Sequence, residues 1–194
     1  MKRKDEFENY AEHPRYGKRP RITGLNPETN YLKVFLHWHS REGIRIPNTA
    51  IQADLTKQAP ATVAVTHYFD SKRICRDCDK PFIFFAEEQK HWYEELGFGL
   101  DSDCVRCPVC RKQQQGLARA KERYEELFHT QNRNDDQNLE MAECCLALIE
   151  KKVFHLRQTE HVKLVLKQVS EKNRSNGRAI ELAIRLHQLE TVSP

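Results

Sequence analysis

The chain reads as α+β: a small cysteine-stapled domain with a short N-terminal β segment, followed by a C-terminal α-helical bundle. Three observations predict this. Two C-x-x-C pairs, Cys75/Cys78 and Cys107/Cys110, stand in the middle of the chain. Upstream of them apolar residues alternate, as in a strand with one buried face; downstream they step by three and four, as along a helix. The 194 residues, 39% hydrophobic and 31% charged, suffice for one or two small domains with a modest core.

Residues 1–30 are polar and rich in turn formers (Pro14, Gly17, Pro20, Gly24, Pro27), and read as a poorly ordered arm. Arg15, Lys18, Arg19 and Arg21 form a basic cluster with no acid among them. A solvated tail is the ordinary reading. The functional one is an arm that tracks RNA or DNA phosphates, with Tyr10 and Tyr16 placed to stack on bases.

Residues 31–116 are read as one domain, the β segment plus the cysteine-stapled part. Over Tyr31–Trp38 the residues Leu32, Val34, Leu36 and Trp38 share one face of a predicted strand, with Tyr31, Lys33, Phe35, His37 and His39 on the other. His37 and His39 project together, so a second metal site is conceivable, but two histidines without a third ligand are ordinarily surface or satisfied groups. Ile44–Asp54 is polar and interrupted by proline, hence an edge or loop. Ala61–Tyr68 returns to strand composition and leads into the first cysteine pair.

Two cysteines three apart across a tight turn present both sulfurs on one side, a knuckle. Cys75, Cys78, Cys107 and Cys110 can therefore converge on a single structural Zn²⁺, each at about 2.3 Å. Asp79 follows the first knuckle where positive φ is often required, which Asp tolerates. Pro108 suits a first helical position, and Leu117, Ala120, Tyr124, Leu127 and Gln131 follow at helical steps. A helix therefore starts at the second knuckle, where its free N–H groups and dipole favour thiolate over thiol. Knuckle, hairpin, then a helix carrying the last two ligands is a treble clef.

The motif elements are Cys75-Arg76-Asp77-Cys78, Phe82 and Phe84, Glu88-Gln89, Gly97-Phe98, and Arg106-Cys107 with Cys110-Arg111. This run resembles the probable zinc-ribbon (treble-clef-type) domain of uncharacterised bacterial proteins, over about a quarter of the chain. The resemblance implies zinc and no established reaction. Asp79 stands where that family has Gly, and Cys104 is an additional cysteine that competes with Cys107 as a candidate ligand.

Between the pairs, Pro81–Phe85 reads as a strand and Glu87–Leu96 as a short helix with Gly97 at its C′ position. Trp92 and Leu96 should pack with Phe82, Phe84 and Phe98 over the metal. Glu88, His91, Trp92 and Tyr93 are residue types found in catalysis, but four thiolates leave zinc no open position for water.

Residues 117–194 are read as a helical bundle. Leu139, Ala142, Leu146, Ile149, Val153 and Leu156 form one stripe over about five turns, with Cys145 at its border as a small buried hydrophobe. Thr159 is the candidate cap of the next helix, with Val162, Val165, Leu166 and Val169 facing inward. The last helix starts near Ser175 or Asn176. Its stripe is Ile180, Ala183, Ile184 and His187, widened by Leu182, Leu186 and Leu189.

These patterns exclude several functions. No apolar run approaches the roughly 20 residues of a membrane span, and the first ten residues lack the apolar core of a signal peptide. Seven cysteines, an odd number grouped in close pairs apart from Cys104 rather than as a disulfide framework, point to a reducing cytoplasm. No H-E-x-x-H, Gly-rich phosphate loop or H-x-E deaminase element is present, so no catalysis and no small-molecule substrate are expected. The net charge of +4 is mild. The expected function is a structural-zinc binding module associated with nucleic acid or a ribonucleoprotein, through the arm together with Lys72, Arg73, Arg76, Arg111 and Lys112. The alternative is a zinc-stabilised protein–protein interaction adaptor without nucleic-acid binding, supported by the wide apolar stripe of the last helix.

Overall fold

The structure, a computed structural model, describes residues 5–30, 32–39 and 41–192. It divides into two compact units, Met1–Lys112 and Gln113–Pro194.

The first unit holds two antiparallel two-stranded ribbons. Strand β1 (Ile51–Gln52) pairs with β2 (His67–Tyr68), and β3 (Ser71–Ile74) with β4 (Pro81–Phe84), with Ser71 opposite Phe84 and Ile74 opposite Pro81. β3, the first knuckle and β4 thus form one hairpin. Helix α1 (Ala86–Lys90) follows, continued by a π-helical turn over His91–Glu95, and Gly97 ends it at φ +70. That is the expected helix with the expected glycine stop.

β4 decides the packing. Its run Phe82-Ile83-Phe84, with Phe85 behind it, is buried on both faces. Phe82 and Phe84 face the cysteines and Trp92; Ile83 and Phe85 face Ile46, Phe7, Tyr10 and Tyr16. The expectation of a free arm is corrected here. The Ala11 N–H donates to the Pro81 carbonyl (2.7 Å), and Phe7, Tyr10 and Tyr16 cover the second face of a strand that would otherwise lie bare in water.

The expected strand at 31–38 is also corrected; Tyr31 itself lies outside the described residues. Asn30 closes a turn onto Val34, and a single bridge joins Leu36 to His67. Leu32 is 89% and Trp38 53% exposed, so the alternating face covers no core. The segment is held instead by polar bonds: the Phe35 carbonyl accepts from Thr66, and the Phe35 N–H donates to Thr66 Oγ1 (3.0 Å).

Helix α2 (Pro108–His129) begins inside the second knuckle, as expected, and runs into the second unit. That unit contains α3 (Asp135–Glu150), a 3₁₀ turn (Leu156–Gln158), α4 (Thr159–Lys172) and α5 (Gly177–Val192). Its core joins Leu127 with Leu139, Leu146 and Ile149 of α3, Val162, Val165, Leu166 and Val169 of α4, and Ala179, Leu182 and Leu186 of α5.

Two boundaries and one buried face differ from the sequence reading. α3 stops at Glu150, because Lys152 adopts φ +58 and the Val153 and Phe154 N–H groups fold back on the Leu148 carbonyl. Thr159 is the buried first residue of α4 and caps nothing; the cap lies in the preceding turn, where His155 and Gln158 bond reciprocally. On α5 the stripe is reversed: Ala179, Leu182 and Leu186 are buried, while Ile180 and Ile184 are 50% and 55% exposed. The buried face is the one that joins α3 and α4 in the common core.

Candidate metal centre

Cys75 leads out of β3 into a turn whose geometry follows from Asp79 at φ +56, where the Asp79 N–H donates to the Cys75 carbonyl (2.9 Å). The Cys75 N–H donates to the Lys80 carbonyl (2.9 Å) and closes the hairpin. The second knuckle is the first turn of α2, where the Arg111 N–H donates to the Cys107 carbonyl (2.9 Å). Two bonds lock the knuckles together: Arg76 N–H to the Val105 carbonyl (2.9 Å), and Arg106 Nε to Asp77 Oδ2 (2.7 Å).

The four sulfurs of Cys75, Cys78, Cys107 and Cys110 all lie within 4.8 Å of one another, and Cys78 Sγ stands 3.9 Å from Cys107 Sγ. A tetrahedron of thiolates around zinc has edges of about 3.8 Å. The donor set and its spacing fit one Zn²⁺ with every coordination position filled by protein. Bound there, the metal would crosslink hairpin and helix and offer water no place.

Cys104 is not part of this group. It is buried, its Sγ donates to the Arg106 carbonyl (3.4 Å), and burial pushes its thiol up to about 12. Cys145 is buried in the helical core with its thiol pushed up to about 11, and Cys144 beside it is half-buried.

Among the described residues, no third ligand joins His37 and His39 in a metal-holding group. The buried His37 donates from Nε2 to the Leu100 carbonyl (2.8 Å) and accepts the His39 N–H at Nδ1 (3.3 Å), which uses both ring nitrogens. Burial, with the neighbouring His39, pulls its basicity down to about 4. His39 faces Asp103 and the Asp101 carbonyl.

The expected phosphate contacts are unevenly placed. Arg73 is nearly buried, paired with Asp103 (3.2 Å) and donating to the His39 carbonyl (3.1 Å). Arg111 pairs with buried Glu88 (2.5 Å) and lies over the Trp92 ring at 5.1 Å. Lys72 pairs with Glu6, Arg19 with Asp5 and Arg21 with Glu87, while Lys18 donates to the Glu8 carbonyl. Arg15 stands over Tyr16, and with Arg76 and Lys112 it is exposed.

Sequence reasoning named Glu88 only as a motif element and a catalytic residue type, and passed over Asp70; both hold the site. Glu88 draws in both Arg111 from the ligand helix and His13 (3.4 Å) from the N-terminal segment, behind Trp92. Asp70, fully buried, accepts the Arg21 N–H (2.8 Å) and the Ala86 N–H (2.7 Å), tying the N-terminal segment to the start of α1. The signal for this packing was the unbroken run FIFF, which no single-sided strand needs.

Residues 69–118 match a family described as a probable treble clef domain. No curated protein and no solved structure matches the chain. The matched stretch holds all four thiolates and the first turns of α2, at whose start Cys107 and Cys110 lie, and it forms a zinc-binding treble clef.

Proposed function

We propose that this zinc-binding module is a protein–protein adaptor without catalytic function, working in a reducing compartment that keeps its ligands as thiolates. One observation carries the reading. Ile180 and Ile184 stand one turn apart on the outward face of α5, half exposed, opposite the face that packs through Leu182 and Leu186. The core does not require these isoleucines, and their exposure has a cost that a bound partner would offset. Ile74, Val105 and Val109 are likewise exposed beside the metal ligands.

The test is affinity capture of the full chain with and without nuclease. A protein partner that persists after nuclease and is lost with Ile180→Glu/Ile184→Glu supports the adaptor; partners that all vanish with nuclease reject it. Exposed Arg15, Arg76 and Lys112 favour the second reading, association with nucleic acid or a ribonucleoprotein. Most of the other expected contacts are engaged within the first unit, which weakens that reading around the knuckles.

A further inference from the structure

We propose that the helical unit carries a binding surface for single-stranded nucleic acid, built from the α3–α4 connection and the last turns of α2. This goes beyond the adaptor reading and moves the nucleic-acid partner away from the knuckles.

The connection reads Lys151-Lys152-Val153-Phe154-His155-Leu156-Arg157, three cations and a histidine without an acid. All of these except half-buried Phe154 are exposed. Elsewhere in the unit many cations are matched: Arg123 with Glu126 and Glu140, Arg178 with Glu143, Arg185 with Glu150, Lys163 with Glu160 and Glu190, while Arg119, Arg133, Lys167 and Arg174 pair with no acid among the described residues and are scattered along the helices and turns. Among the described residues no acid pairs with Lys151, Lys152 or Arg157. The two acids nearest in sequence, Glu150 and Glu160, are taken by Arg185 and Lys163. The connection therefore presents three exposed cations close together in sequence with no acid between them.

An aromatic wall adjoins it. Phe154 anchors the connection edge-to-face on Tyr124 (5.1 Å), Tyr124 stacks on Phe128 (5.9 Å), and Phe128 meets His161 (6.2 Å). Phe128 is 53% exposed, which leaves much of its ring uncovered by the protein. Arg133 closes the end of α2 by donating to the Leu127 and Thr130 carbonyls, so the ring is held on an ordered turn. Exposed cations that attract a phosphate backbone, beside an aromatic face that any base can cover, are the two elements of sequence-tolerant single-strand binding. Exposed Val153 and Leu156 would also suit an anionic lipid surface, but the stacked aromatic wall favours bases.

The test is fluorescence anisotropy of a labelled oligouridylate of about 15 nucleotides with the zinc-loaded full chain. Reversing Lys151, Lys152 and Arg157 to Glu should flatten the fall of log affinity with log salt by about two units, three contacts at roughly 0.7 each. Phe128→Ala should weaken binding by about five- to 150-fold with the salt slope unchanged. Should the triple reversal fail to fold by circular dichroism, the three Gln substitutions carry the same expectation. Ile180→Glu/Ile184→Glu should leave oligouridylate affinity unchanged, which separates this surface from the adaptor face. No oligouridylate binding by the wild-type chain at low salt overturns the proposal. So does binding lost on reversing Arg76 and Lys112 but indifferent to the connection, or capture of phosphatidylserine vesicles by the connection with no oligouridylate bound.

Discussion

Glu88 and Arg111 are opposite charges largely held out of water beside the metal ligands; beyond each other, Glu88 has only the His13 ring and Arg111 the Trp92 face. Removing one leaves the other buried and uncompensated. Glu88→Ala should therefore cost about 3–5 kcal/mol in denaturant unfolding, and the double change Glu88→Leu/Arg111→Met should recover most of it. An additive double variant would show that the pair is not coupled. Asp70 makes a pH-dependent contribution. Burial, partly opposed by the two N–H groups it accepts, pushes its carboxyl up to about 6 from the ordinary 3.8. The folded state holds this proton more tightly than the unfolded chain, so the contribution favours folding below pH ~4 and is lost as pH rises through about 6. Asp70→Asn should remove that fall; a wild-type stability difference from Asn that is flat between pH 4 and 7 would contradict it. Glu88 was legible only as a motif element and Asp70 not at all; the buried role of neither could be read, because an acid's burial depends on which distant segment covers it. The four ligands were legible, since spacing alone brings each pair together.

Among the elements, α5 is the one whose two faces make opposite predictions. Leu182→Ala should cost about 2–5 kcal/mol, as it opens a cavity between α3, α4 and α5. Ile184→Glu should change stability by no more than about 0.5 kcal/mol, because the side chain already meets solvent. Thermal unfolding of both variants decides it, and a destabilisation by Ile184→Glu equal to that of Leu182→Ala would return Ile184 to the core. Periodicity located α2, α4 and α5 but could not choose between two apolar faces of α5, since that choice is made by the neighbours. It also ran α3 on to Leu156, because nothing in Lys151-Lys152 announces a left-handed residue; no glycine or proline marks the stop. At the other end of α3 the cap was written locally, with Asn134 and Gln137 bonding reciprocally. The strand expected at 31–38 failed for a related reason: alternation describes which face is apolar, not whether another layer exists to cover it.

At the scale of the molecule, the two units draw on different sources of stability. The second has a continuous apolar core of its own in α3, α4 and α5. The first is split into small clusters, one of which consists largely of cysteines, so zinc bound there would supply folding energy that the clusters alone do not. A chelator should therefore abolish the near-ultraviolet signal of Trp92 and Tyr93 while leaving much of the helical signal; simultaneous loss of both would show that the units do not unfold separately. The claim on which the rest stands is that one zinc is held by Cys75, Cys78, Cys107 and Cys110. Its most direct test is metal content per chain by native mass spectrometry, comparing wild type with Cys107→Ser, Cys104→Ser and Cys144→Ala/Cys145→Ala. The account predicts one zinc in the wild type, in Cys104→Ser and in the double variant, and none retained by Cys107→Ser. Zinc kept by Cys107→Ser but lost by Cys104→Ser would contradict it.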